Sequence, residues 1–107
     1  MEAEVSNPDK TYEAIEIAKK TGKIKKGANE VTKIVEKSLA KLVVVAQDTS
    51  PKEVILHLKP LCKEKEIPYA EVPSKEELGT AAGLRVSTAA VAITKEGDAR
   101  DLIKQIK

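Results

Sequence analysis

Apolar positions along the chain follow two periods. Tyr12, Ile15 and Ala18 recur at helical spacing between the pair Asn7-Pro8, suited to an N-cap and first turn, and Gly22, a stop; this predicts a first helix. Lys23-Ile24-Lys25 alternates in strand fashion. After Gly27 a second helical pattern begins, with Val31, Ile34, Val35 and Leu39 as its inward stripe. Leu42-Val43-Val44-Val45-Ala46 is an unbroken apolar run rich in β-branched residues, the signature of a strand covered on both faces.

Ser50-Pro51 opens a third helical stretch, in which Val54, Ile55, Leu58 and Leu61 recur at helical spacing and Pro60 is expected to kink or divide the helix. Tyr69-Ala70-Glu71-Val72 predicts a third strand. Ser74 with Glu77 three residues on forms a capping box for a short helix that ends near Gly79 or Gly83. Ala89-Ala90-Val91-Ala92-Ile93 predicts the last strand, and Asp98 to Ile106 a closing helix with Ala99, Leu102, Ile103 and Ile106 inward. Strands alternating with helices predict a three-layer α/β/α sandwich around a small four-stranded mixed sheet, in one domain spanning residues 1–107.

Composition narrows the function. With no Phe or Trp and only two tyrosines the core must be aliphatic, and base stacking on aromatic platforms is nearly excluded as a binding style. No apolar run reaches the roughly 18 residues of a membrane span, and the first residues lack the character of a signal peptide, so a cytoplasmic protein without membrane contact is expected. Cys62 is the only cysteine, which rules out an internal disulfide and a cysteine-based zinc site. High Lys and Glu with few Asn, Gln, Cys and Met matches the bias of proteins from hot environments.

The formal net charge of +2 conceals an asymmetry. Between Lys19 and Lys41 lie eight lysines against two carboxylates, whereas the rest of the chain carries eleven basic and fifteen acidic residues. Such a segment is either a solvated lysine face or a local field that draws phosphate.

Within it, a helix starting near Ala28 would place Asn29, Glu30 and Lys33 on one exposed face, free of packing duty. Gly27 would let a ligand approach the backbone, the free N–H groups of the helix start favour phosphate, and Lys26 and Lys33 add charge. Glu30 among lysines is the informative residue. A pure phosphate binder would avoid it, but a carboxylate accepts hydrogen bonds from the N1–H and N2–H₂ edge of guanine. The competing reading is that Asn29 and Glu30 only cap and polarise a helix start.

The segment Lys26-Gly27-Ala28-Asn29-Glu30-Val31-Thr32-Lys33 resembles the signature of the kink-turn-binding ribosomal proteins of the L-seven-Ae type, the archaeal large-subunit members among them. Ala40-Lys41-Leu42-Val43, Ile55-Leu56-His57-Leu58, Leu61-Cys62, Ile67-Pro68-Tyr69, Ser74-Lys75, Leu78-Gly79 and Gly83 fall in that family's order and spacing over nearly the whole chain. The resemblance implies an α/β/α sandwich that recognises tandem sheared G·A pairs at a kink. It assigns Asn29, Glu30 and Lys33 to the guanines and Lys26 and Gly27 to the RNA backbone.

It also implies a second surface in the loop before the last strand, where Leu84 and Val86 pack on the loop nucleotides, and a contact from Val54 to the extruded nucleotide. Archaeal members often carry an acid at the central loop position where this chain has Arg85, which bears on the choice between kink-turns and kink-loops and supplies a candidate phosphate contact. The partners implied are ribosomal RNA, box C/D and H/ACA guide RNAs, ribonuclease P RNA and the core proteins of those ribonucleoproteins. No cofactor, metal or small-molecule substrate is implied.

Two other classes stand beside this reading. An enzyme would have to use His57 or Cys62, because the chain carries no nucleophile elbow, P-loop or metal-ligand pattern. Both sit in an apolar helical context that suits a buried, inert thiol and a structural or capping histidine. The other alternative is a protein-interaction or scaffold module of the same sandwich fold with only nonspecific RNA affinity.

Overall fold

The computed structural model describes residues 8–50 and 52–106, in the order α1 (Pro8–Thr21), β1 (Lys23–Lys26), α2 (Ala28–Glu36), β2 (Leu42–Ala46), a 3-10 turn (Lys52–Val54), α3 (Leu58–Glu64), β3 (Tyr69–Val72), α4 (Lys75–Ala81), β4 (Ala90–Lys95), a second 3-10 turn (Gly97–Ala99) and α5 (Arg100–Ile106). The sheet is mixed, in the order β1-β4-β2-β3, with β4 antiparallel to both of its neighbours and β2 parallel to β3.

The β2 run is buried from Leu42 to Ala46 because helices cover both sheet faces. Its residues divide by strand parity. Leu42, Val44 and Ala46 join Ile15, Ala18, Leu78 and Ile103 beneath α1, α4 and α5, whereas Val43 and Val45 join Val31, Val35, Leu58 and Cys62 beneath α2 and α3. The α/β/α sandwich expected from the pattern is therefore the observed architecture.

Three helices stop by one device. After α2, α3 and α4 the chain turns through a left-handed residue, respectively Ser38 (φ 59°), Glu66 (φ 58°) and Gly83 (φ 81°). The N–H of the next residue then reaches back to a carbonyl of the last turn: Leu39 to Ile34 at 3.0 Å, Ile67 to Cys62 at 2.9 Å and Leu84 to Gly79 at 2.8 Å. This is the Schellman closure. It corrects the inward placement of Leu39: α2 ends at Glu36, and Leu39, beyond the left-handed turn, is 53% exposed.

The third helical stretch divides, as expected, into a 3-10 turn and α3, with Val54 exposed and Ile55 and Leu58 buried. The division falls before Pro60, which then occupies the first turn of α3, where a missing N–H costs no helical bond. The Ser74 hydroxyl accepts the Glu77 N–H at 3.1 Å, one half of the capping box, while the Ser74 N–H donates to Tyr12 OH at 3.4 Å in place of the Glu77 side chain. The last strand begins one residue late and runs on to Lys95, and the closing helix opens as a 3-10 turn at Gly97. Asn7, Pro51 and the side chain of Ile106 lie outside the described residues.

Candidate nucleic-acid interface

Strand direction gathers the candidate residues. β1, β2 and β3 all finish at the end of the sheet where β4 begins, so the segments after Lys26, Ala46 and Val72 and the loop before Ala90 share one rim. Backbone bonds fasten this rim together. Gly27 N–H donates to Ala90 O at 2.9 Å, Ala46 N–H to Ala89 O at 2.9 Å, Gln47 N–H to Val72 O at 2.8 Å and Thr88 N–H to Lys75 O at 3.2 Å. The Asp48 carboxylate accepts the Lys75 N–H at 2.8 Å, tying the loop after β2 to the start of α4.

α2 begins on this rim. Gly27 adopts φ 95° and ψ 144°, a region that glycine reaches without the Cβ penalty, and a Cβ built there would meet nothing within 4 Å. The backbone is therefore open to a ligand at that point. Val31 is the first residue of the helix whose N–H is bonded within it, to Gly27 O at 2.9 Å, and Gly27 offers no side chain to cap the amides of Ala28, Asn29 and Glu30. Three N–H groups at the positive end of the helix thus have no hydrogen-bond partner among the described residues, next in sequence to Lys26.

Asn29, Glu30 and Lys33 are all exposed, as the helical spacing predicts. The Lys33 ammonium lies 3.9 Å from the Glu30 carboxylate, with 66% and 54% of the two side chains exposed, so the pair is weak and free to exchange for a ligand.

The other candidates lie on the same rim. Val54 is in the 3-10 turn after β2. The loop before β4 is seated on α4, where a Cβ at Gly79 would collide with the Val86 carbonyl. That seating turns Val86 outward, 69% exposed, and leaves Arg85 exposed, while Leu84 is half-buried against the α1/α4/α5 core. Val86 is thus free for an apolar contact with a ligand, and Leu84 also serves as the apolar residue of a Schellman closure.

Nothing in the spacing of the sequence signals the brace between α2 and α3. The Thr32 hydroxyl donates to Ala28 O at 2.7 Å and meets His57 Nε2 at 2.7 Å, so His57 must donate through Nε2–H. His57 is exposed and stands at the N-cap position of α3 without making a side-chain cap, which corrects its expected apolar context; of the two roles expected, structural or capping, the bond to Thr32 is the structural one. Cys62 is buried as expected, and burial pushes its thiol up to about 11. Also unforeseen is a groove of about 410 Å³ lined by Gln47, Lys52, Ile55, Leu56, Tyr69 and Glu71 among others, where Gln47 Nε2 and Tyr69 OH each donate to the Glu71 carboxylate at 3.1 Å. Among the described residues no group of His, Cys, Asp and Glu is placed to hold a metal ion, and no helix is long and apolar enough to cross a membrane.

Among solved structures the chain is similar to the Giardia lamblia 15.5kD RNA binding protein, with 33% identity and a TM-score of 0.81 over 95% of this chain and 88% of that one. The model of the Ribosomal protein L7Ae/L30e/S12e/Gadd45 family matches residues 9–103, nearly the whole described fold, and the chain belongs to that family.

Proposed function

We propose that this chain is a non-catalytic RNA-binding protein that recognises and stabilises kink-turns with tandem sheared G·A pairs. The observation that carries the reading is the start of α2: uncapped amides, an open approach at Gly27, and a carboxylate set between Lys26 and Lys33 with no packing duty. The amides and lysines suit phosphate. Glu30 is an acceptor for guanine donors, which phosphates lack, and so supplies base reading. The RNA-binding structural relative and the family match support the same reading.

Free kink-prone RNA samples open and bent forms, and a protein that contacts only the bent arrangement shifts the population toward it. In this reading Lys26 and Gly27 hold the backbone at the kink and Asn29, Glu30 and Lys33 take the guanines. Val54, Leu84, Arg85 and Val86 receive the loop nucleotides. The whole chain acts as one cytoplasmic domain of the archaeal large-subunit type. Its RNAs are ribosomal RNA, box C/D and H/ACA guide RNAs and ribonuclease P RNA, alongside the core proteins of those particles.

The test is a titration at one fixed salt concentration against a kink-turn RNA and a control in which both G·A pairs are replaced by Watson–Crick pairs. A strong preference for the kink-turn is expected; equal affinity would leave only an electrostatic RNA binder.

A further inference from the structure

The end of the sheet away from Gly27 carries a second concentration of positive charge. Lys23, at the start of β1, is directly opposite Lys95, at the end of β4, where the register of the pair shifts. Lys41 precedes Leu42, the partner of Ile93, and donates its N–H to Ile93 O at 2.6 Å, so it adjoins the same corner. Lys37, the C-cap of α2, stands where that helix ends on its way back from the first rim.

All four side chains are exposed, and among the described residues none has a carboxylate within ion-pair distance, although Glu36 and Glu96 flank them in sequence. A helix C-terminus accounts for Lys37 but not for three lysines on strands or at a strand's edge. Like charges directly opposite on paired strands are destabilising, and both of these lysines are exposed. A fold that tolerates the Lys23–Lys95 juxtaposition in water is stabilised when a polyanion lies across it.

We infer that Lys23, Lys37, Lys41 and Lys95 form a second phosphate-binding surface, which holds a separate RNA helix while the α2 rim is occupied. The identity of the polyanion as RNA rests on the proposed function. Distance separates the two sites: five residue steps of β4 between Ala90 and Lys95 span about 17 Å, more than a phosphate held at Gly27 can bridge. Without a base-reading carboxylate or an open helix start, the contact is to backbone phosphates and is indifferent to sequence. The protein would thereby pin a kinked element against a neighbouring helix.

The experiment uses the full chain saturated with kink-turn RNA and adds a labelled plain RNA duplex, with complexes weighed by native mass spectrometry. The expected result is a ternary complex of one protein and two RNAs. The triple variant Lys23→Gln/Lys41→Gln/Lys95→Gln should weaken duplex capture at least tenfold and reduce the slope of log K against log salt by about one per lysine replaced. It should leave kink-turn affinity unchanged and its melting temperature equal or higher; the corresponding arginine variant should restore capture.

Absence of a ternary complex, displacement of the kink-turn RNA by the duplex, or undiminished capture by the glutamine variant would overturn the inference. So would capture of polyglutamate with the duplex left free. If the protein showed no kink-turn preference, yet bound the duplex in a way abolished by the glutamine changes and untouched by Glu30→Ala, the proposed function would fail and this surface would stand.

Discussion

The Thr32 hydroxyl and His57 Nε2 lie 2.7 Å apart and join α2 to the start of α3 across 25 residues of sequence. Because Thr32 also donates to Ala28 O, the bond ties the first turn of α2 to α3 at the surface, one helical turn from Asn29. His57 is then a positioning residue for the rim. A double-mutant cycle with Thr32→Val and His57→Ala is expected to give a coupling of about 0.5–1.5 kcal/mol in denaturant unfolding. Each single change should lower affinity for kinked RNA without altering its salt dependence, since neither side chain neutralises a phosphate. Coupling near zero would make the bond incidental.

Lys26 and Lys33 test the electrostatic part of the site. Replacing Lys26 by Gln removes a charge next to the uncapped amides, and the slope of log affinity against log salt should fall by about one for the phosphate no longer neutralised; replacing Lys33, which is placed on the guanines, should weaken binding with a smaller change of slope. Both are exposed, so their effect on stability should stay within about 0.5 kcal/mol. The measurement is affinity at several salt concentrations, beside a thermal melt.

Gly79 separates the seating of the Leu84–Val86 loop from the chemistry of α2. An added methyl would drive into the Val86 carbonyl, so Gly79→Ala should displace the loop and destabilise the fold by about 1–3 kcal/mol through overpacking. Affinity for an RNA with a full kink loop should fall more than affinity for one trimmed of its loop nucleotides. An equal loss for both RNAs would count against a contact from Val86.

The buried Cys62 thiol bears on stability in alkali. Burial raises it from its ordinary value of 9.0 to about 11, so the native state keeps its proton longer than the unfolded chain does. Ionisation of the unfolded chain then favours unfolding, and stability is lost as pH rises from about 9 toward 11. Tyr12 and Tyr69, both raised chiefly by burial, act in the same direction. Denaturant midpoints at pH 7 and pH 10 should therefore differ less in Cys62→Ala than in the parent.

Most of the sheet and the α2 rim were legible because each depends on local signals. The β-branched run of β2, the Ser74–Glu77 box and the stripe of Val31 and Val35 encode their own structure within a few residues. Leu39 misled because an apolar residue in helical phase looks inward until a left-handed turn intervenes, and Ser38 carries no glycine to announce one. The Thr32–His57 bond was invisible for a different reason: it pairs residues whose proximity only the assembled sandwich creates. The docking of Val86 on Gly79 follows from the left-handed reversal at Gly83, a local turn whose exit direction the sequence does not state.

Glu30 carries the central claim, and the ratio of affinities for a kink-turn RNA and its Watson–Crick-paired control, measured for the parent and for Glu30→Ala at one salt concentration, tests it most directly. The change is expected to cost about 1–3 kcal/mol on the kink-turn and almost nothing on the control, so that the ratio collapses. A drop of equal size on both RNAs, or a ratio that survives, would contradict base reading by Glu30 and return that carboxylate to the lesser task of polarising a helix start.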